Sequence, residues 1–329
     1  NLEVGKYKIT ATLSDGTTEK KKVEKTINIK NLDDMSAYLF VHFVDTQEDA
    51  TREQIYFSVS KDGKTWTTLN NKQPYLTSNV GTQGVRDPYI LRGEDGKFFI
   101  IATDLSVYNL KNNWTAAAQQ GSKSIVVWES SDLVNWSEAS LVKINNDNAG
   151  CTWAPEACYG PEKDEYMVFW ASVVSDDSYQ KYRIYRSYTK DFKTFSAPEL
   201  YIEEPNAVID TTIIDHEGTY YRFTKNEAKS SITMQECTSL SGDWKDVANY
   251  NLGSMTGYEG PTIYKLNGKN EWCLLLDYFS KSKGYKPFVT TDITKGEFTA
   301  DSDFSFDGTY RHGTVMPITQ AEYESLTAE

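Results

Sequence analysis

A polar turn closed by an aromatic residue recurs five times along this chain, and that recurrence constrains the fold more than any other feature. It reads Ser60-Lys61-Asp62-Gly63-Lys64-Thr65-Trp66, then Ser131-Asp132-Leu133-Val134-Asn135-Trp136, then Lys190-Asp191-Phe192-Lys193-Thr194-Phe195. Two looser copies follow, Ser239-Leu240-Ser241-Gly242-Asp243-Trp244 and Thr291-Asp292-Ile293-Thr294-Lys295-Gly296-Glu297-Phe298. One such turn is an ordinary hairpin. Five in phase, each behind a strand pattern such as Ile125-Val126-Val127-Trp128, mean radial repetition, because a four-stranded sheet cannot bury both faces alone.

A second repeat runs in step with the first. Arg86-Asp87-Pro88 opens a short apolar strand, an Asp95-Gly96 turn and a second strand ending at Thr103-Asp104. The plan returns from Trp153-Ala154-Pro155-Glu156 to Ser172, from Ile209-Asp210-Thr211-Thr212 to Lys225, and from Glu259-Gly260-Pro261-Thr262 to Asp277. A shortened copy, Arg311-His312-Gly313 through Ile318, has no partner strands after it, whereas the strands of residues 38–66 have no inner strand before them. Joining the two ends completes a fifth sheet and leaves no open edge. The expected fold is all-β, a five-bladed β-propeller over residues 35–329, with a short terminal helix near 320–326. Residues 1–34 alternate apolar and polar residues around Asp15-Gly16, a hairpin signal. They resemble the last strands of an immunoglobulin-like module, with Asn31-Leu32-Asp33-Asp34 as a linker and no chemistry of their own.

Composition narrows the partners. A formal charge of -13 argues against nucleic acid, whose phosphates demand Lys and Arg. The 8 Trp, 22 Tyr and 14 Phe suit β-structure and can stack on sugar rings, so a neutral oligo- or polysaccharide fits better. No apolar run reaches membrane-spanning length. The four cysteines (Cys151, Cys158, Cys237 and Cys273) show neither a C-x-x-C pair nor zinc spacing, and Cys158 and Cys273 read as small buried hydrophobes. The chain opens at Asn1 without Met, so a leader or upstream modules of the same polypeptide are expected, along with a secreted, periplasmic or bacterial cell-surface location.

In a propeller the first strand of each blade lines the central channel, so its opening residues converge on one mouth. Here those heads carry Asp87, Glu156, Asp210, Glu259 and His312. Together, Arg86-Asp87-Pro88, Trp153-Ala154-Pro155-Glu156, Ile209-Asp210-Thr211, Glu259-Gly260-Pro261 and Arg311-His312-Gly313 resemble glycoside hydrolase family 43, over nearly all of the chain after the linker. The resemblance implies an inverting glycosidase. Asp87 would be the general base and Glu259 the general acid, with Asp210 keeping Glu259 protonated and oriented. Inversion needs the base and the acid roughly 6.5–9.5 Å apart to admit a water, a gap that side chains from different blades can supply.

Each residue also has a plainer reading. Asp87 before Pro88 can cap a turn, and Glu259 beside Gly260-Pro261 can be a solvated turn residue. Asp210 is hardest to dismiss, because an inward acid on a strand is costly without partners. His312 resembles the family histidine that in some members binds a metal ion, such as calcium, in the channel, or it is a hydrogen-bonded structural histidine. No cofactor is required for the chemistry itself. Trp153, Glu156, Tyr258 and Arg311 are candidate substrate contacts: a wall of the sugar pocket, a binder of sugar hydroxyls, a neighbour of the acid, and a contact to substrate oxygens or a neutraliser of the acids. The excursion Leu105–Gln120, with Tyr108 and Trp114, and the segment Asn145–Gly150 are candidate rim loops.

The family resemblance points to an exo-acting or debranching α-L-arabinofuranosidase on plant-type polysaccharides. β-Xylosidase and β-galactofuranosidase are the rivals within the same chemistry. A glycan-binding propeller without turnover and a scaffold propeller are the readings of other classes.

Overall fold

The computed structural model describes residues 5–14, 19–29, 34–44, 48–160 and 163–328. Among these residues there are five sheets in blade form, a separate two-stranded sheet and two α-helices. Each blade runs outward from an inner strand. The first blade is Val85–Arg92, Phe98–Asp104, Ser124–Ser130 and Ser140–Lys143, and the second is Trp153–Gly160, Glu165–Ser172, Arg183–Thr189 and Glu199–Ile202. The third is Val208–His216, Thr219–Asn226, Ser231–Cys237 and Lys245–Asp246, and the fourth is Glu259–Lys265, Trp272–Asp277, Tyr285–Thr290 and Thr299–Ala300.

The fifth blade is assembled from both ends of the propeller, as the unpaired strands predict. Its inner strand, Arg311–Thr319, pairs antiparallel with Met35–Phe43, which is followed by Tyr56–Ser60 and Thr65–Thr68. A short parallel strand, Ser305–Phe306, adds an outermost rung that the repeat did not foretell. The five inner strands contact one another in a closed ring. Apolar clusters fill the wedges between neighbouring blades, for example Phe99, Ile101, Val168, Trp170 and Phe192 between the first and second.

The recurrent turn lies between the third and fourth strands and works as a side-chain clamp. Asp62, Asp132 and Asp191 each accept two backbone N–H bonds through Oδ1, while the preceding Ser60, Ser130 or Thr189 accepts another. The residue after the Asp takes positive φ in Gly63, Leu133 and Phe192. Leu133 and Phe192 thereby become fully buried pegs, and the closing aromatic Trp66 is buried as well.

The terminal helix Gln320–Thr327 starts with a capping box, Thr319 Oγ1 accepting from the Glu322 N–H and Glu322 from the Thr319 N–H. Arg92 grips the same Glu322 with two hydrogen bonds, tying the helix to the first blade. The hairpin strands Gly5–Ser14 and Glu19–Ile29 pair with each other; the Asp15-Gly16 turn and residues 31–33 of the proposed linker lie outside the described residues. All four cysteines are free thiols, and no helix among the described residues is long and apolar enough to cross a membrane.

Candidate active site

All five inner strands carry a one-residue bulge at the same level. The register slips between Arg86 and Tyr89, Trp153 and Glu156, Ile209 and Thr211, Glu259 and Thr262, and Arg311 and Thr314. A bulge re-aims the side chain it carries. At four of the five, one residue sits in the left-handed region: Asp87, Ala154, Asp210 and Gly260, with φ between 48° and 52°. Asp tolerates this geometry better than most residues. Gly260 is required twice over, because a Cβ there would also lie 2.7 Å from His312 Cγ. Asp87 is therefore part of a strand bulge, which disposes of the turn-cap reading.

The bulges correct one feature of the expected constellation. The position equivalent to Asp87 and Asp210 is Ala154 in the second blade. Glu156 sits two residues further along the strand, 4% exposed. Glu259 stands one residue before its bulge glycine, at the level of Arg86, Trp153, Ile209 and Arg311. The second-strand residues directly opposite that level are Thr103, Ala171, Lys225, Asp277 and Phe43.

His312 gathers the first two acids. Its Nδ1 lies 3.4 Å from Asp87 Oδ1 and 3.9 Å from Asp210 Oδ2. Thr103 Oγ1 donates to Asp87 Oδ2 at 2.9 Å and accepts from the Ala154 N–H at 2.7 Å, locking the carboxylate to the next blade. Asp210 Oδ2 accepts from the Gly260 N–H at 3.0 Å, so it is tied to the backbone beside Glu259 and not to its side chain. Glu259 is gripped by two cations: Arg311 at 3.2 Å from Oε1 and Lys225 at 2.9 Å from Oε2. Arg311 Nε in turn donates to the fully buried Asp277 at 2.6 Å.

Burial and charge set the protonation of this cluster. Burial pushes the Asp87 carboxyl up, but the His312 hydrogen bond and charge, aided by Arg86 and Thr103, hold it below its usual range. Burial would lower the His312 imidazole; Asp210, then Asp87 and Glu156, instead lift it to about 9. Burial raises Asp210 to about 6, with the His312 charge opposing and Glu259 adding, and raises Asp277 to about 6 against the Arg311 charge. Glu156 is pushed up by burial to about 8. At neutral pH the mouth thus holds an ionised Asp87 against an imidazolium, above a neutral Glu156.

His312, with its Nδ1 set between Asp87 and Asp210, serves as their internal counter-cation.

The remaining candidates divide. Trp153 is half-buried at the mouth, stacked on Tyr182 with centroids 5.4 Å apart and edge-on to Trp114 at 6.2 Å. Tyr258, by contrast, is buried in an apolar cluster, stacked on Tyr278 at 4.5 Å, and serves packing.

Sequence reasoning missed Glu53, the last residue of an acidic stretch between two strands. It is fully buried, pairs with Arg86 at 2.8 Å and accepts from Ser106 Oγ and the N–H groups of Val107 and Tyr108. That carboxylate anchors the predicted rim loop. Arg86 extends from it under Trp114, 5.3 Å from the ring centroid, and over Phe43 at 4.5 Å. Lys225 and Asp277 were also unassigned, although both end second-strand repeats.

The propeller brings strand-borne carboxylates from several blades to one mouth, the residue type that glycoside hydrolysis uses. Residues 33–324 match the family described as a probable glycosyl hydrolase domain, related to family 43, and the chain belongs to it. It is 29% identical over 342 residues to an α-L-arabinofuranosidase of Bifidobacterium longum. That match takes in 89% of this chain and 31% of the relative, so the chain spans about a third of the relative's length. Among solved structures it resembles an exo-β-1,3-galactanase from Phanerochaete chrysosporium, at a TM-score of 0.50 and 17% identity over 69% of this chain and 53% of that one. An exo-β-1,3-galactanase from Clostridium thermocellum gives a TM-score of 0.50 and 13% identity over 68% and 51%. Both likenesses are of fold.

Proposed function

We propose that this protein is an inverting α-L-arabinofuranosidase that removes terminal or branching arabinofuranosyl residues from plant-type polysaccharides. Asp87 takes a proton from a water as that water's oxygen bonds to the anomeric carbon. The glycosidic bond breaks at the same carbon, and Glu259 delivers a proton to the departing oxygen. The products are a sugar of inverted configuration and the shortened glycan, and Asp87 then returns its proton through solvent to Glu259.

The observation that carries this reading is the hydrogen-bonded Asp87 on the inner strand of the first blade, with Asp210 and Glu259 at the inner-strand bulges of the third and fourth. Asp210 acts on the acid through the Gly260 amide and through its own charge. The arabinofuranosyl specificity is supported by the 29% identical relative. A polymeric substrate of this kind also favours action outside the cytoplasm.

A screen of aryl α-L-arabinofuranoside, β-xyloside, β-galactofuranoside and β-galactoside substrates, with the first-formed anomer followed by NMR, tests the proposal. Release of arabinose in the inverted anomer is expected. Preferred turnover of another glycoside would replace the substrate, and a retained anomer would remove the mechanism.

A further inference from the structure

The acid half of the site contains a buried lysine that the mechanism above leaves unused. Lys225 lies directly across the third-blade bulge from Ile209 and is 2% exposed. Its Nζ stands 2.9 Å from Glu259 Oε2, 2.8 Å from Glu227 Oε2 and 4.4 Å from the centroid of the Phe279 ring. The Glu227 contact is close but misaligned for a hydrogen bond, so the ammonium is aimed at Glu259 and shared with a carboxylate that is 40% exposed. A buried ammonium is costly unless paired, and this one is paired with the residue assigned to give up a proton.

Resting on the assignment of Glu259 as the acid, we infer that Lys225 is a positioning residue that holds and orients the Glu259 carboxyl, with Glu227 drawing part of the lysine's charge outward. The surrounding charges are few. Glu259 faces Lys225, Arg311, Asp210 and Asp277; Lys225 faces Glu259, Asp210 and Glu227; His312 acts on Asp210 and Asp277. The buried Tyr285 hydroxyl donates to the Gly260 carbonyl nearby. A neighbouring cation lowers a carboxyl's pKa, and an acid catalyst works only while protonated, so activity falls as pH rises through that pKa. Removing Lys225 moves this alkaline limb to higher pH. Neutralising Glu227 leaves the lysine's charge undivided on Glu259 and moves the limb to lower pH.

The experiment is a set of kcat/KM-against-pH profiles on the best aryl glycoside and on a poor alkyl leaving group, for wild type, K225M, K225R, E227Q and E259Q. We expect the alkaline limb of K225M to rise by about one pH unit, that of E227Q to fall by less, and that of K225R to stay near wild type. K225M should also lose more kcat on the alkyl than on the aryl substrate. Unmoved limbs in both K225M and E227Q, or limbs that move the same way, overturn the inference. If K225M does not fold by circular dichroism, the direction of the E227Q shift decides alone. E259Q separates the two levels: full turnover of the alkyl glycoside means that the acid assignment has failed. Loss of that turnover, with K225M and E227Q profiles overlaying wild type, means that only the role of Lys225 has failed.

Discussion

Two buried histidines stand on neighbouring strands of the fifth blade, and their surroundings drive them to opposite charge states. His42 lies on Met35–Phe43 and His312 on the inner strand Arg311–Thr319, paired with it. His42 is enclosed by rings, stacked on Tyr310 at 4.0 Å and on Tyr56 at 6.0 Å. Its Nδ1 donates to the Phe43 carbonyl at 3.1 Å, so its Nε2 accepts from Ser58 Oγ at 2.9 Å. With both nitrogens satisfied in the neutral form, burial pushes its pKa down to about 4. One strand inward, carboxylates from three other blades lift His312 to about 9. Burial alone neutralises an imidazole; burial among carboxylates makes it a fixed cation. For these two histidines the difference lies in the neighbours: rings and neutral partners around His42, carboxylates around His312.

The largest effect comes from taking away the carboxylate that gives His312 its role. Asp87→Asn removes the base while keeping the Thr103 contact available, and kcat should fall by about 10³-fold. The His312 titration, followed by NMR of its Cε1 proton, should move below 9. Full activity in this variant would remove Asp87 from the chemistry. His312→Gln attacks the same pair from the other side. Without the cation Asp87 becomes harder to ionise, so the acidic limb of kcat/KM should rise by about one pH unit. A limb that stays in place would mean that His312 only fills space.

The second histidine should answer in stability and not in rate. His42→Phe keeps the ring stack but strands Ser58 and the Phe43 carbonyl, costing about 1–3 kcal/mol. Wild-type His42 carries a folded pKa below its unfolded value near 6.5. Its contribution is therefore complete above that pH and is lost as pH falls toward 4. His312 has the reverse sign: its contribution is complete below 6.5 and lost as pH rises through about 9. Melting temperatures of the two histidine variants from pH 4 to 9 should therefore diverge from wild type in opposite pH directions. Parallel curves would contradict the assignment of opposite charge states.

The parts of this design written as repeats could be read from the sequence, and those written as single residues could not. Blade number, ring closure from both ends and the inward heads Asp87, Asp210, Glu259 and His312 all follow from a pattern that recurs with the strand period. The bulge is invisible in such a pattern, because one extra residue leaves the apolar alternation intact on either side. That is why Glu156 was placed level with the acids when Ala154 is their equivalent. Lys225 and Asp277 closed the third and fourth copies in full view, yet a charged residue at a strand end is ordinarily solvated, and only the register puts these two opposite Ile209 and Glu259. Glu53 carried no signal at all. It sits after a run of acids, and its burial depends on Arg86 and on backbone N–H groups more than fifty positions away.

Glu156 offers the smallest and most discriminating effect, because it shares the channel with the charged cluster while itself remaining neutral. Its folded pKa of about 8 exceeds the model-peptide value of 4.5, chiefly through burial, with His312 and Thr212 opposing and Asp210 adding. Between those two pH values the folded protein holds a proton that the unfolded chain releases, so wild type loses stability as pH rises from 4.5 to 8. Glu156→Gln has the shape of the protonated acid but nothing to ionise. It should match wild type in turnover and melting temperature near pH 5, then become the more stable of the two by pH 8. A loss of turnover near pH 5 would instead mean that the carboxyl is used on the substrate, and that the line between working acids and silent ones lies two residues further along the inner strand than the bulges mark it.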